Sequence, residues 1–298
     1  MIDSIEKYIS ILKTEMKGCD AATRQDALSD AEDHLRSAVS EALSANPELS
    51  EKDVLQSVIE EYGTPRETAD SYMELDRRFA PGETGGLRRQ YVTPAGRFFG
   101  IFGDGAAWGA VLYSLLSLAT GIIYFTWAVT GIALSASMMV LIIGIPVTVA
   151  FFFSFRGLAI LEGRIVEGLL GVRMPRRQRF LDPDMKWGGK IKRLLLGKDS
   201  WLFVLYFILM LPLGIIYFTI TVTLFSVSLS LMASPFLGLI FELPGIDLGP
   251  VVYGVPYWTL PFIAVLGFLL LKGTLHLLKK LGSLQGKLAK TMLVTEDV

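Results

Sequence analysis

Apolar and polar positions change rhythm twice along this chain. Over the first 80 residues, apolar side chains recur at three- and four-residue spacing. Ile5, Ile9, Leu12 and Met16, with Tyr8 beside them, form one such stripe, the pattern of an amphipathic helix. Leu28, Ala31, Leu35, Ala38 or Val39 and Leu43 form a second stripe. A third uses Val54, Leu55, Val58, Ile59 and Tyr62, and a fourth Ala69, Tyr72 and Met73. The punctuation fits. Asp3 reads as the first N-cap with Glu6 three residues on, Gly18 as a stop, Asp20 and Ser50 as further caps, and Asn46-Pro47 and Gly63-Thr64-Pro65 as breaks. Residues 1–80 are expected to be a small helical bundle.

From Gly105 to Phe155 the rhythm disappears, because the 51 residues contain no Asp, Glu, Lys or Arg. A helix rises about 1.5 Å per residue and a hydrocarbon core is about 30 Å thick, so this stretch is long enough for two crossings. Leu134-Ser135-Ala136-Ser137 is its softest part and is read as the turn, between spans over Trp108–Gly131 and Ala136–Arg156. Residues 200–241 again lack charge. Trp201–Thr223 reads as a span and Val251–Leu271 as another. Phe225–Phe241, with Pro235, is open between a re-entrant piece, an interfacial cap and part of a long helix. The expectation is an all-α, polytopic membrane protein with four transmembrane helices in two hairpins and a small cytoplasmic helical bundle.

Charge orients this arrangement. The net charge is −1, but residues 1–80 carry 18 acidic and 9 basic side chains and residues 81–298 carry 11 and 19. Residues 81–105 read as a linker that gathers Arg88, Arg89 and Arg97 beside Tyr91, Phe98, Phe99 and Phe102. Further cations are Arg156, Arg164, Arg173, Arg176 and Arg177 between the hairpins, and Lys272, Lys279 and Lys280 after the last span. These are expected to meet lipid headgroups and to hold both termini in the cytoplasm of a multi-pass cell-membrane protein. Direct nucleic-acid binding fits poorly, because the adjacent module is acidic. The N-terminus has no basic region followed by an apolar run, so no signal peptide is expected.

The membrane part, residues 106–298, repeats itself. Gly121-Ile-Ile-Tyr-Phe-Thr126 recurs as Gly214-Ile-Ile-Tyr-Phe-Thr219, an offset of 93 that also pairs Leu112-Tyr113 with Leu205-Tyr206. Gly144-Ile-Pro146 resembles Gly254-Val-Pro256 at an offset of 110. Copies over about 106–172 and 199–293, entering from the same side, imply a parallel repeat.

Candidate chemistry is sparse. Gly121, Tyr124, Thr126, Gly214, Tyr217 and Thr219 are the candidate intramembrane residues. They serve either symmetric packing or a polar-lined cavity for a lipid or apolar ligand. Pro146 and Pro256 are expected to kink the second helix of each copy, as static shape or as a bistable element. No charged residue is read as lying well inside a span, which weakens a transport path. Glu162 and Glu167 are placed on a helix leaving the membrane and are not proposed as catalytic carboxylates. His34 and His276 have no second histidine or cysteine at ligand spacing, and Cys19 is the only cysteine. No metal, cofactor or enzymatic activity is expected.

Two resemblances follow from particular residues. Tyr8-Ile9-Ser10-Ile11-Leu12, Asp30-Ala31-Glu32-Asp33-His34-Leu35 and Tyr62-Gly63-Thr64-Pro65 with Thr68-Ala69 resemble the small helical signalling domain of bacterial and archaeal membrane proteins encoded near PadR-like regulators. Gly18-Cys19-Asp20 departs from that family's Leu-Pro turn. Residues 105–298 resemble the four-span "putative sensor" domain. That likeness is carried by Trp201, Leu205-Tyr206, Leu211-Pro212-Leu213-Gly214 with Tyr217, Gly144-Ile-Pro146, Arg156-Gly157-Leu158-Ala159 and Glu162. Together the resemblances imply a membrane sensor or regulatory protein. Residues 1–80 would engage a cytoplasmic regulator or another membrane protein, and a homo-oligomer is allowed. No kinase core follows Val298, so autonomous phosphotransfer is not expected. A small transporter or membrane subunit of an exporter, and a structural membrane protein, are the alternatives.

Overall fold

The computed structural model describes residues 2–46, 48–79, 99–138, 144–175, 188–189, 191–192, 197–240, 246–247, 252–253 and 256–294. The chain forms two compact units, one holding the N-terminal helices and one the long apolar helices. The linker arginines and aromatics over 80–98, and Arg176 and Arg177, lie outside the described residues.

The first unit is built from α1 (Ile5–Glu15), α2 (Ala21–Ala45), α3 (Glu51–Tyr62) and α4 (Pro65–Phe79). Its stripes bury Tyr8, Leu12, Met16, Ala27, Ala31, Leu35, Val54, Leu55 and Ala69 together, as the spacing predicts. Ser4 rather than Asp3 caps α1, accepting from the Lys7 N–H. Asp3 lies one position too early and instead pairs with the Lys7 ammonium at 3.0 Å. The break between α3 and α4 has a clear cause. Gly63 takes φ +108°, a region open to glycine. Thr64 and Glu67 then form a reciprocal capping box, with the Thr64 N–H donating to the Glu67 carboxylate at 2.8 Å. The Tyr8 hydroxyl donates to the Gly63 carbonyl at 2.8 Å and meets the Thr68 hydroxyl at 2.9 Å. The Tyr-Gly-Thr-Pro stretch is thus anchored to α1, and His34 of α2 stacks on Tyr62.

The second unit contains α5 (Gly105–Met138), α6 (Gly144–Leu170), α7 (Lys198–Ile240) and α8 (Leu260–Leu293), with a two-residue ladder pairing Ile246–Asp247 with Val252–Tyr253. Among the described residues, three helices are long and apolar enough to cross a membrane: Gly105–Met138, Ser200–Leu237 and Leu260–Leu293. At about 1.5 Å per residue each exceeds a 30 Å hydrocarbon core. Large apolar side chains, including Ile122, Ile123, Ile215 and Ile216, face outward.

Several boundaries differ from expectation. The turn does not fall at 134–137, because α5 runs on to Met138. The Ser137 hydroxyl bonds back to the Ala133 carbonyl, so it is satisfied within the helix and does not break it. Residues 225–240 continue α7 without interruption. The carbonyl that Pro235 leaves without a backbone donor, that of Leu231, accepts from the Ser234 hydroxyl at 2.8 Å. Neither Pro146 nor Pro256 kinks a helix. Pro146 sits in the first turn of α6, where no intrahelical donor is required, and Pro256 precedes a 3-10 turn whose Thr259 N–H bonds to it. Among the described residues, the prolines that lie beyond the first turn of a helix are Pro212 and Pro235 of α7.

The parallel relation between the hairpins is also overturned. Along α5 and α7, Trp108 meets Phe225, Gly121 meets Met210 and Tyr124 meets Phe207, so one number rises as the other falls. The two helices are antiparallel. Gln285 and Lys279 of α8 meet Tyr113 of α5 and Asp104 just before it in the same order, so α8 runs with α5. α6 runs with α7, as Phe152 against Trp201 and Phe155 against Phe207 show.

Candidate functional site

The buried face of α6 has a regular spacing. Phe155, Ala159, Glu162 and Val166 follow one another at four, three and four residues, and all are buried. α8 repeats the spacing with Leu278, Gly282, Gln285 and Ala289. Helical periodicity therefore carries Glu162 and Gln285 into the centre of the unit, although both are polar. Glu162 is 0 % exposed and Gln285 1 %.

Four tyrosines meet them there. The Tyr113 hydroxyl of α5 donates to Glu162 Oε1 at 2.8 Å, and the Tyr206 hydroxyl of α7 donates to the same oxygen at 3.0 Å. The Tyr124 hydroxyl of α5 donates to Glu162 Oε2 at 3.0 Å. Gln285 Nε2 donates to the Tyr113 and Tyr206 oxygens at 3.2 Å each, and also lies 3.3 Å from Met210 Sδ. The Tyr217 hydroxyl closes the set by donating to Gln285 Oε1 at 3.1 Å. All four helices contribute. A buried carboxylate costs several kcal/mol unless its oxygens are satisfied, and three phenol donors supply charge-assisted bonds.

The helices are drawn together by glycine. A Cβ on Gly121 would lie 2.6 Å from the Met210 carbonyl oxygen, and one on Gly214 would lie 2.8 Å from the Ser117 carbonyl carbon. No real side chain fits at either point, so the backbones approach as closely as they can.

Of the six residues expected to form the intramembrane site, Gly121, Tyr124, Gly214 and Tyr217 converge here. Thr126 and Thr219 do not, since both are exposed on the outer face of their helices. The tyrosine hydroxyls are committed to Glu162 and Gln285 rather than lining an open cavity. Glu162, expected on a helix leaving the membrane and given no part in the site, is instead buried against two of the membrane-length helices. Arg156, expected at the headgroups, is 6 % exposed, with its guanidinium carbon 5.8 Å from the Phe153 ring centroid. Arg164 pairs with Glu167 at 2.7 Å, and Lys279 pairs with Asp104. Lys280 is exposed, while Lys272 and Arg173 are half-buried.

A helical bundle joined to a unit of membrane-length helices defines a multi-pass membrane protein. The family model described as "Putative sensor" matches residues 113–293, and the chain belongs to that family. A second model, described as HAAS, matches residues 7–71. Both matches agree with the resemblances that the sequence carries. The sensor match takes in all six network residues, Tyr113 as its first position and Gln285 near its end. No curated protein and no solved structure matches the chain.

Proposed function

We propose that the chain senses a condition at the membrane through the Glu162 network and passes that state to a cytoplasmic partner through residues 1–80. The carrying observation is that one carboxylate is held by phenols from two other helices and linked through them to the amide of a third. Breaking one of those bonds changes the packing of several helices at once. A site so coupled suits a two-state element. The partner surface is expected to be basic, since residues 1–80 carry a net charge of −9. Lipid tails would meet the outward Ile122-Ile123 and Ile215-Ile216 faces, and headgroups the exposed cations such as Lys280.

The membrane unit is read as two copies of a helix pair, with α6 as a fourth span beside the three apolar ones. The pairs Tyr113 and Tyr206, Tyr124 and Tyr217, and Gly121 and Gly214 keep the offset of 93. Matching Glu162 with Gln285 gives 123 for the second helices in place of 110. The distribution of Lys and Arg supports both termini in the cytoplasm, whereas the opposed course of α5 and α7 favours an odd number of crossings between the two ends, as the three apolar spans alone would give. Labelling of a C-terminal cysteine in sealed vesicles separates the two.

Capture experiments test the sensor reading. Full-length protein in membranes should retain a partner that is lost on charge reversal of the acidic surface of residues 1–80. Retention should change with Tyr206→Phe. Equal retention by all three forms would reject it, as would substrate flux in liposomes containing only this protein.

A further inference from the structure

The site at Glu162 is already filled by side chains, and its hydrogens can be counted. Tyr113 and Tyr206 each donate to Glu162 Oε1 and accept from the Gln285 amide. Tyr124 donates to Oε2 and Tyr217 to the Gln285 carbonyl oxygen. Four phenol hydrogens and two amide hydrogens therefore find six acceptor positions, and the count closes with Glu162 ionised. The partners of the carboxylate are all neutral phenols. The groups that face it are Tyr113 and Tyr124 from α5, Tyr206 from α7 and, behind the phenols, Gln285 from α8. On its own helix Arg156 lies six residues back, and the Arg164–Glu167 pair lies at the partly exposed surface.

We propose that Glu162 is a reversible proton-binding site and that one proton, taken up from water, is the input that resets the packing of α5 against α6. A proton is the ligand that needs no cavity. The step is simple: one O–H bond forms on the carboxylate, no bond to another atom breaks and no group leaves. The consequence follows from the count. With the proton on Oε2, the acid donates along its one bonded contact, to the Tyr124 oxygen. The hydrogen of Tyr124 then loses its acceptor inside a buried site, so the phenol must turn away. With the proton on Oε1, Tyr113 or Tyr206 is displaced instead, and the Gln285 amide with it. Either way one hydrogen is added to a set in which every hydrogen already had its acceptor, and the bonds to the acid lose the strength that the charge had lent them. This inference rests on the sensor reading and names its input.

Infrared difference spectra of the full chain in lipid nanodiscs, taken over about pH 4 to 9, test it. The carbonyl band of a protonated carboxylic acid should grow as pH falls, and Glu162→Gln should remove that component. Tyr124→Phe withdraws one donor from the ionised form, so the band should persist to a pH higher by about one unit. It also serves if Glu162→Gln fails to fold. Hydrogen exchange in α5 and α6 should rise across the same transition. Carboxylic acid bands identical in wild type and in the folded variants would overturn the proposal. So would a titrating band without any change in exchange. Capture of the partner at fixed pH is read separately. A partner held through residues 1–80 with no Glu162 band removes the proton and leaves the sensor, and a Glu162 band without a partner does the reverse.

Discussion

Gly121 and Gly214 are packed reciprocally: each lies against the backbone of the residue four positions before the other, Gly121 on Met210 and Gly214 on Ser117. The obstructing atoms belong to backbone, so a side chain at either position cannot be accommodated by a rotamer change. Gly121→Ala and Gly214→Ala should each cost about 1–3 kcal/mol. Because both act on one crossing, the double variant should cost less than their sum. Thermal unfolding of the detergent-solubilised chain measures this, and additive losses would mean the two contacts are independent.

Tyr206 and Tyr217 should differ. Tyr206→Phe takes a donor from a buried carboxylate and an acceptor from the Gln285 amide, a loss on the order of 1.5–3 kcal/mol. Tyr217→Phe removes one bond to a neutral amide oxygen and should cost nearer 1 kcal/mol. The ranking, read from unfolding midpoints, is the prediction, and reversal of the order would contradict the network.

Thr126→Val and Thr219→Val should lie within about 0.5 kcal/mol of wild type, because both side chains are on the outer surface. A large loss of stability at either would place them in a contact this fold does not give them.

In the N-terminal unit, Glu67 gives a pH dependence. Hydrogen bonds from the Thr64 backbone N–H and hydroxyl hold its carboxyl below the ordinary glutamate value. A group whose folded value is depressed contributes stability that is complete above its unfolded value and lost as pH falls through the folded one. Glu67→Gln should therefore flatten the acid side of the stability profile below about pH 4.5. Melting of the N-terminal unit within the full chain, followed against pH, measures this, and an acid limb as steep in Glu67→Gln as in wild type would contradict it.

The bundle was legible because its stripes and Gly63-Thr64-Pro65 break obey local rules, while its caps were less so: Ser4 takes the place expected of Asp3, and Asp20 and Ser50 stand at the N-cap without a side-chain cap bond. The membrane character was legible because charge is absent over long stretches. The duplicated GIIYFT stretch located the two glycines and two tyrosines, and the paired Leu-Tyr dipeptides already contained Tyr113 and Tyr206. What remained hidden was set by packing between distant segments. Glu162 stands among charged residues, yet its spacing from Phe155 and Ala159 turns it inward. Gln285 carries no local signal, and only the match between the buried faces of α6 and α8 exposes it. The direction of α7 relative to α5 is likewise a matter of which distant residues touch, which spacing within one helix does not encode.

Glu162 and Gln285 hold the same position in the matched buried spacing of α6 and α8, and they differ as an acid and an amide. A chain with acid at both places would set two negative charges against each other, and one with amide at both would be electrically silent. One of each leaves one ionisable carboxyl and one neutral amide among the four phenols. The two helices thereby bring different chemistry to one network, and an event at its centre can be told apart by which of them it reaches first.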